Sequence, residues 1–373
     1  MSATPAAPTT EVRLDRMRPS QAAAAMDRAP VAWVPLGAVE YHAPHLPIGT
    51  DSLTALEVVE RAARDVGGVV LPPMVTTLGT LHLPWSLRYE PRLVEATLRA
   101  TIDQLASAGA RVVVVHTGHA PLDLIHRVKR VCADAEASRR VSDDAFRAYG
   151  LCYLELNVAA GAGLGTAWPV PIDHGSVTET SLVLAIAPEL VDLGALPDPV
   201  DAPVVGIYGP DPRGRATAEL GEARLADGAA LLARRVRALL AGGSLDPLAD
   251  LRTLVERYWP EPLEVTLGDR STLLLRNTGP MSRYLTDLTL AVDGRAFDPT
   301  RVRLRNPTTG EAGCPVVSSS LDPEAGFYVR RGQAAEVLLP EPLGPGSHAI
   351  LLRLGLGGVS IAELRATIRV PDA

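Results

Sequence analysis

An α/β fold with a mostly parallel sheet, followed by an antiparallel β-sandwich, is the fold class that this 373-residue sequence predicts. The first part rests on alternation: short, apolar, partly β-branched runs at Val31–Leu36, Val69–Leu71, Arg111–His116 and Leu151–Leu156 read as buried strands. Between them, Ser52–Val66, Arg92–Ala108 and Leu122–Ala137 carry apolar residues at helical spacing. Strands and helices in turn imply parallel pairing with helices on both faces. The second part rests on a change of pattern. Beyond residue 262 the apolar runs shorten, at Leu263–Leu267, Thr272–Arg276, Leu285–Val292, Val302–Arg305, Ala335–Leu339, His348–Leu354 and Ala366–Val370. Turn signals such as Asn277-Thr-Gly, Asp293-Gly, Asn306-Pro and Pro345-Gly separate them, as in a sandwich.

Taken in order, residues 1–10 form a Pro- and Thr-bearing segment with no basic start and no apolar core, expected as a disordered tail. Residues 11–243 make the α/β domain, closed by a long Ala/Leu/Arg-rich helix near Thr217–Leu240 that stops at Gly242-Gly243. Asp51 or Ser52 is expected to cap the first long helix, and Gly109 to stop the second. Residues 244–261 read as a linker and 262–373 as the sandwich.

Composition narrows the function. A formal charge of -7 with scattered Lys and Arg argues against a nucleic-acid surface. No apolar run nears the roughly 18 residues that a membrane helix needs. The three cysteines, Cys132, Cys152 and Cys314, have neither the number nor the spacing of a disulfide framework or a zinc knuckle. A cytoplasmic protein is the expectation.

The densest chemistry follows the first strand, in Gly37-Ala-Val-Glu40-Tyr-His42-Ala-Pro-His45-Leu-Pro-Ile-Gly-Thr-Asp51. Carboxylates and imidazoles are the usual oxygen and nitrogen ligands of zinc, manganese and iron. The carboxyl end of a strand is where open α/β sheets build their sites. His119 stands in the Gly-containing turn after the Val112–His116 run. His174 and Glu179 follow Ala159–Pro171, which reads as a Gly-rich loop, and Glu179 begins an apolar-periodic segment. His116 reads as a satisfied core histidine, and neither His82 nor His126 has supporting context. Three chain segments thus supply Glu40, His42, Asp51, His119 and Glu179, the inventory of a two-metal site with one bridging carboxylate.

The run Glu40-Tyr-His42-Ala-Pro-His45-Leu-Pro with Thr50-Asp51 resembles the signature of the creatininase (creatinine amidohydrolase) family, Gly-x-x-Glu-x-His-Gly-Pro-His-Leu-Pro followed by Thr-Asp. The likeness continues at Thr117-Gly118-His119 and at His174-Gly175-Ser-Val-Thr-Glu179-Thr180-Ser181. It implies a three-layer α/β/α sandwich, a hexamer, and two divalent ions, commonly zinc with manganese or iron in one position. By that resemblance Glu40 and His119 bind one ion, His42 and Glu179 the other, and Asp51 bridges. A hydroxide between the ions attacks an amide carbonyl of a cyclic amide, lactam or small peptide amide. His174 shuttles a proton to the leaving nitrogen, or instead orients Glu179, and His45 takes a supporting role.

The departures sit in the pocket wall. Ala43 replaces a glycine, and Thr117-Gly-His-Ala-Pro121-Leu122 stands where the family has Asn-Gly-His-Gly-Gly-Asn. Thr117, Arg88 and Trp168 are the candidate substrate contacts. The sandwich bears a diffuse likeness to the β-subunit of C-glycoside deglycosidases, which keeps open a metal-dependent lyase or isomerase. A non-catalytic binding protein with a relict site is the remaining alternative.

Overall fold

The computed structural model describes residues 11–81, 83–164, 173–197, 204–258, 263–277, 283–285, 287–298, 301–305, 312–313, 327–329, 334–356 and 359–372. The expected tail, Trp168 and His82 lie outside them. The chain divides into two compact units, Met1–Asp250 and Leu251–Ala373.

In the first unit, α1 (Pro19–Arg28) leads into β1 (Val31–Leu36), α2 (Thr50–Val66), β2 (Val69–Val70), α3 (Pro91–Ser107), β3 (Val112–Thr117), α4 (Leu122–Arg139), β4 (Arg147–Cys152), α5 (Tyr153–Leu164), α6 (Val177–Ile186) and α7 (Ala218–Leu240). The strands pair in the order β2-β1-β3-β4, all in parallel. Side chains alternate across a strand, so β1 feeds two cores. Ala32, Val34 and Leu36 join Val113 and Val115 beneath α3 and α4. Val31 and Trp33 join Val112 and Val114 beneath α2, α6 and α7. Two apolar faces explain why these strands read as continuous hydrophobic runs, and they make the three α/β/α layers. Trp33 is fully buried and its ring N–H donates to the Gly67 carbonyl at 2.9 Å.

The strand order reverses between β1 and β3, and this switch point is where the chain leaves both strands toward the site. Three sequence expectations change here. The run 151–156 is not one strand: β4 ends at Cys152 and α5 starts at Tyr153, with the Glu155 carboxylate accepting the Cys152 N–H at 2.8 Å in the manner of a capping box. The same helix extends through Leu164, so Ala159–Leu164 is helical although its glycines suggested a loop. Gly49, not Asp51 or Ser52, stands at the cap of α2, which leaves Asp51 in the first turn with its carboxylate free for other work. Gly109, at φ 103, follows the end of α3 as a left-handed stop.

Past α7, the stretch 244–261 holds a helix, α8 (Ala249–Tyr258). Among the described residues, every strand pair of the second unit is antiparallel. One sheet runs β11-β10-β13-β6-β5 and another β15-β14-β8-β9, with a two-stranded pair β12-β7. Their ranges are β5 (Leu263–Asp269), β6 (Thr272–Asn277), β7 (Arg283–Leu285), β8 (Asp287–Val292), β9 (Arg295–Ala296), β10 (Arg303–Arg305), β11 (Ala312–Gly313), β12 (Phe327–Val329), β13 (Ala334–Leu338), β14 (Gly346–Leu356) and β15 (Val359–Val370). Leu273, Leu275 and Val337 from the first sheet share one core with Leu290, Leu352 and Ile368 from the second, which is a β-sandwich. Asp293 and Gly294, at φ 52 and 80, form the two-residue turn between β8 and β9. No helix among the described residues is long and apolar enough to cross a membrane.

Candidate metal centre

Four positions of the fold converge beyond the carboxyl ends of β1 and β3. The loop after β1 carries Glu40 and His42, the first turn of α2 carries Asp51, the turn after β3 carries His119, and the first turn of α6 carries Glu179. The convergence requires close backbone approach. At Gly118, a Cβ atom would lie 2.1 Å from the Asp51 carbonyl oxygen, so only glycine lets the β3 turn pass the start of α2.

The five side chains are buried, from fully for His42 to 6% exposed for His119. Two of the tight sets they form share one carboxylate, and a third joins Glu40 and His42 with His174. His119 Nδ1 lies 3.0 Å from Glu40 Oε2 and 3.3 Å from Asp51 Oδ2. His42 Nε2 lies 3.2 Å from Asp51 Oδ1 and 3.5 Å from Glu179 Oε2. Each set, Glu40–Asp51–His119 and His42–Asp51–Glu179, is tight enough to hold a metal ion. Glu40 Oε2, His42 Nε2 and Asp51 Oδ2 are buried without hydrogen-bond partners. Orphaned polar atoms of this kind are costly unless something else satisfies them, and a cation does so for all three.

The surroundings aim these atoms. His42 Nδ1 donates to the Glu40 carbonyl at 3.1 Å, which leaves Nε2 as the bare nitrogen. His119 Nε2 donates to the Leu78 carbonyl at 3.1 Å, which leaves Nδ1 bare. Backbone acceptors behind an imidazole fix its tautomer in just this way. The Leu81 N–H donates to Glu40 Oε1 at 2.5 Å, and the Gly175 N–H to Glu179 Oε2 at 2.6 Å. His45 reaches across to Thr180 at 2.9 Å, tying the β1 loop to the helix that bears Glu179.

The carboxylates favour positive charge on the imidazoles between them. Burial works against the charged form of His42, yet Asp51 and Glu179 outweigh it and push its pKa up to about 10. His119 is raised well above its ordinary value against the same burial, chiefly by Glu40 and Asp51. Burial would raise Asp51, but His42 and His119 hold its carboxyl below the usual range. Three carboxylates crowded into a dry site thus select for positive charge.

The other expected residues have distinct fates. His174 is half-buried; its ring stacks on His42 at 4.2 Å, and Nε2 donates to the Tyr41 carbonyl at 3.0 Å. Thr117, expected against substrate, is buried instead, and its hydroxyl is taken by the backbone of His119. Arg88 is exposed and donates to the Leu81 carbonyl at 3.2 Å, bracing the residue that binds Glu40. His116 is buried as expected but not satisfied, because neither ring nitrogen has a partner; burial pushes its pKa down to about 3.

Two residues absent from the sequence reading join the site. Tyr153 donates its hydroxyl to Glu179 Oε1 at 3.2 Å. Asp173 accepts the Thr178 N–H at 2.6 Å at the start of α6, and burial, reinforced by Glu179, raises its pKa to about 7. Glu155, three residues past Cys152, was the available sign that a helix begins at Tyr153.

The family model described as creatininase, creatinine amidohydrolase, matches residues 15–241. A creatinine amidohydrolase of Pseudomonas putida is 29% identical over 196 residues, covering 49% of this chain and 75% of that protein. Among solved structures, a creatininase variant of the Zn-Zn type is 25% identical with a TM-score of 0.50, over 61% of this chain and 97% of that one. A creatininase variant complexed with creatine is also 25% identical with a TM-score of 0.50, over 61% and 98%. The family match ends at residue 241, before the sandwich begins. With the fold, the paired ligand sets and this match over most of its length, the chain belongs to the creatininase family, hydrolases of carbon–nitrogen bonds.

Proposed function

We propose that this chain hydrolyses the amide bond of a small cyclic amide, lactam or peptide amide at a dinuclear centre, with zinc the favoured ion and manganese or iron suited to one position. The observation that carries this reading is Asp51, whose two oxygens face two different ligand sets. Glu40 and His119 would hold one ion, His42 and Glu179 the other, and Asp51 both. When bound, such a pair of ions activates water near neutral pH and polarises a carbonyl.

The protein's own part is positioning and proton handling. Burial of the five side chains keeps bulk water from them, and Asp51, shared by both sets, fixes the distance between the two. Because His174 Nε2 donates to the Tyr41 carbonyl, a neutral ring exposes Nδ1 as its acceptor. That atom would take the proton given up by the attacking water and pass it to the leaving nitrogen, a task suited to an imidazole. Tyr153 and the Gly175 N–H hold the Glu179 carboxylate in place.

Metal analysis of the purified protein tests the reading, with about two divalent ions per chain expected for a dinuclear site. Asp51→Ala should deplete both ions, whereas Glu40→Ala should mainly release one. Equal depletion by the two substitutions would remove the bridge. Oxygen-18 from solvent should enter the product; its absence would point to elimination instead. Sedimentation tests the expected hexamer.

A further inference from the structure

The five ligand-type side chains are buried, whereas Tyr41 and His174, which lie between and beside them, are only half-buried. Their side is therefore where the described part of the cluster opens. Two separate segments border it. In the first, the Leu87 N–H donates to the Val39 carbonyl at 2.9 Å, and the Ser86 hydroxyl accepts the Tyr41 N–H at 3.1 Å. In the second, Tyr208 exchanges two backbone hydrogen bonds with His174, at 3.1 and 2.8 Å, and its ring centroid lies 5.7 Å from the His174 ring. Gly206 meets the Tyr41 ring so closely that a Cβ there would lie 2.8 Å from it.

These segments carry Trp85, Leu87, Val205 and Tyr208, which are 78%, 45%, 63% and 48% exposed. Of the seven large hydrophobic residues exposed among the described residues, these four belong to the two segments whose backbones border Tyr41 and His174, and Tyr41 stands between two of the ligand positions. Exposed apolar groups are ordinary when scattered; grouped at the border of a site they mark contact with an apolar partner. Trp85 also holds φ 65, the left-handed region that a side-chain-bearing residue avoids. Strain retained in a loop so well anchored on both sides is a feature of ligand-contacting segments.

We infer that this rim receives a bulky apolar substituent, so the substrate class is a small amide carrying an aromatic or branched aliphatic group beside the scissile carbonyl. The inference rests on the metal-centre reading above. The occupant is the substrate, because the rim is tied by hydrogen bonds to the backbone of the ligand-bearing loop itself. Covering one aromatic ring in this way favours binding by roughly tenfold to a hundredfold.

The test uses the full chain loaded with zinc and two chelating probes, acetohydroxamic acid and phenylacetohydroxamic acid, titrated calorimetrically. Phenylacetohydroxamate should bind at least about tenfold tighter. The double variant Trp85→Ser with Val205→Ser should reduce that preference to below about threefold while leaving acetohydroxamate affinity unchanged. Trp85→Phe should keep most of it. Equal affinity of the two probes in the parent protein, or an unchanged ratio in the double variant, overturns the rim. So does a change of oligomeric state caused by the double variant, which would make this face a contact between copies. If neither probe binds the zinc-loaded protein, the metal centre itself fails; if both bind equally, the rim alone fails.

Discussion

The two units of this chain spend buried volume on opposite things. The α/β unit buries three carboxylates and two imidazoles of its candidate centre, and it also buries His45 and His116. The sandwich core is aliphatic throughout its described residues, and its histidine, His348, pairs with Asp293 near the surface. Charged groups survive burial only where partners or cations offset the loss of water; an unpartnered ionisable group is held neutral instead. The difference therefore says where the chemistry is, independently of any relative. It also predicts that the units respond differently to the same kind of damage.

The largest effect sharpens this contrast from the sandwich side. Leu352 is fully buried and pairs with Leu290 on β8 and Leu364 on β15. Leu352→Ala removes core methylenes and leaves a cavity, at a cost of about 2–5 kcal/mol. Denaturant unfolding should register that loss, while metal analysis of the folded variant should be unchanged. A fall in metal content would break the division of labour.

How much of this was legible in the sequence differs by the same division. Glu40, His42, Asp51, His119 and Glu179 stood out because their side-chain types and their positions after strands carry meaning without coordinates. What aims them did not. The Leu78 and Tyr41 carbonyls and the Leu81 N–H are backbone groups that any residue could supply, so no residue type announces them. Tyr153 was hidden for another reason: an apolar run of six residues suits strand and helix alike, and the break after Cys152 falls inside it. In the sandwich, turn chemistry was the stronger signal. Asp293-Gly294 announced the hairpin because its backbone demands residues that tolerate positive φ. Helix α8 was missed because a segment between two recognisable patterns was read as a connector.

A smaller effect probes a buried ionisable group of the first unit away from its ligands. His116 has no partner at either ring nitrogen, and burial lowers its pKa from an ordinary value near 6.5 to about 3. The unfolded chain therefore takes up a proton below about pH 6.5 while the folded chain does not. Stability is complete above that pH and declines as pH falls toward about 3. At pH 5 this one group costs about 2 kcal/mol relative to pH 7. His116→Leu should remove that part of the acid sensitivity, seen as a smaller loss of unfolding free energy between pH 7 and 5. An identical pH dependence in both proteins would mean that the buried imidazole is not held neutral.

The smallest effect compares two residues in the same unusual backbone region. Asp293, at φ 52, sits in a hairpin turn whose geometry asks for positive φ, and Asp tolerates it. Ala43, at φ 63, sits in the ligand loop, 2% exposed, where the family signature has glycine. An L-residue in that conformation costs about 1–2 kcal/mol. Ala43→Gly relieves the cost, but it also frees the unfolded chain, which offsets about 0.4–1 kcal/mol. The net expectation is a stabilisation of under about 1 kcal/mol, read as a small rise in thermal midpoint. Metal affinity should hold, because His42 keeps its hydrogen bond to the Glu40 carbonyl on the other side of the loop. A drop in metal affinity without loss of stability would show that the strain at Ala43 helps to aim His42, and that the chemical unit keeps it for that purpose.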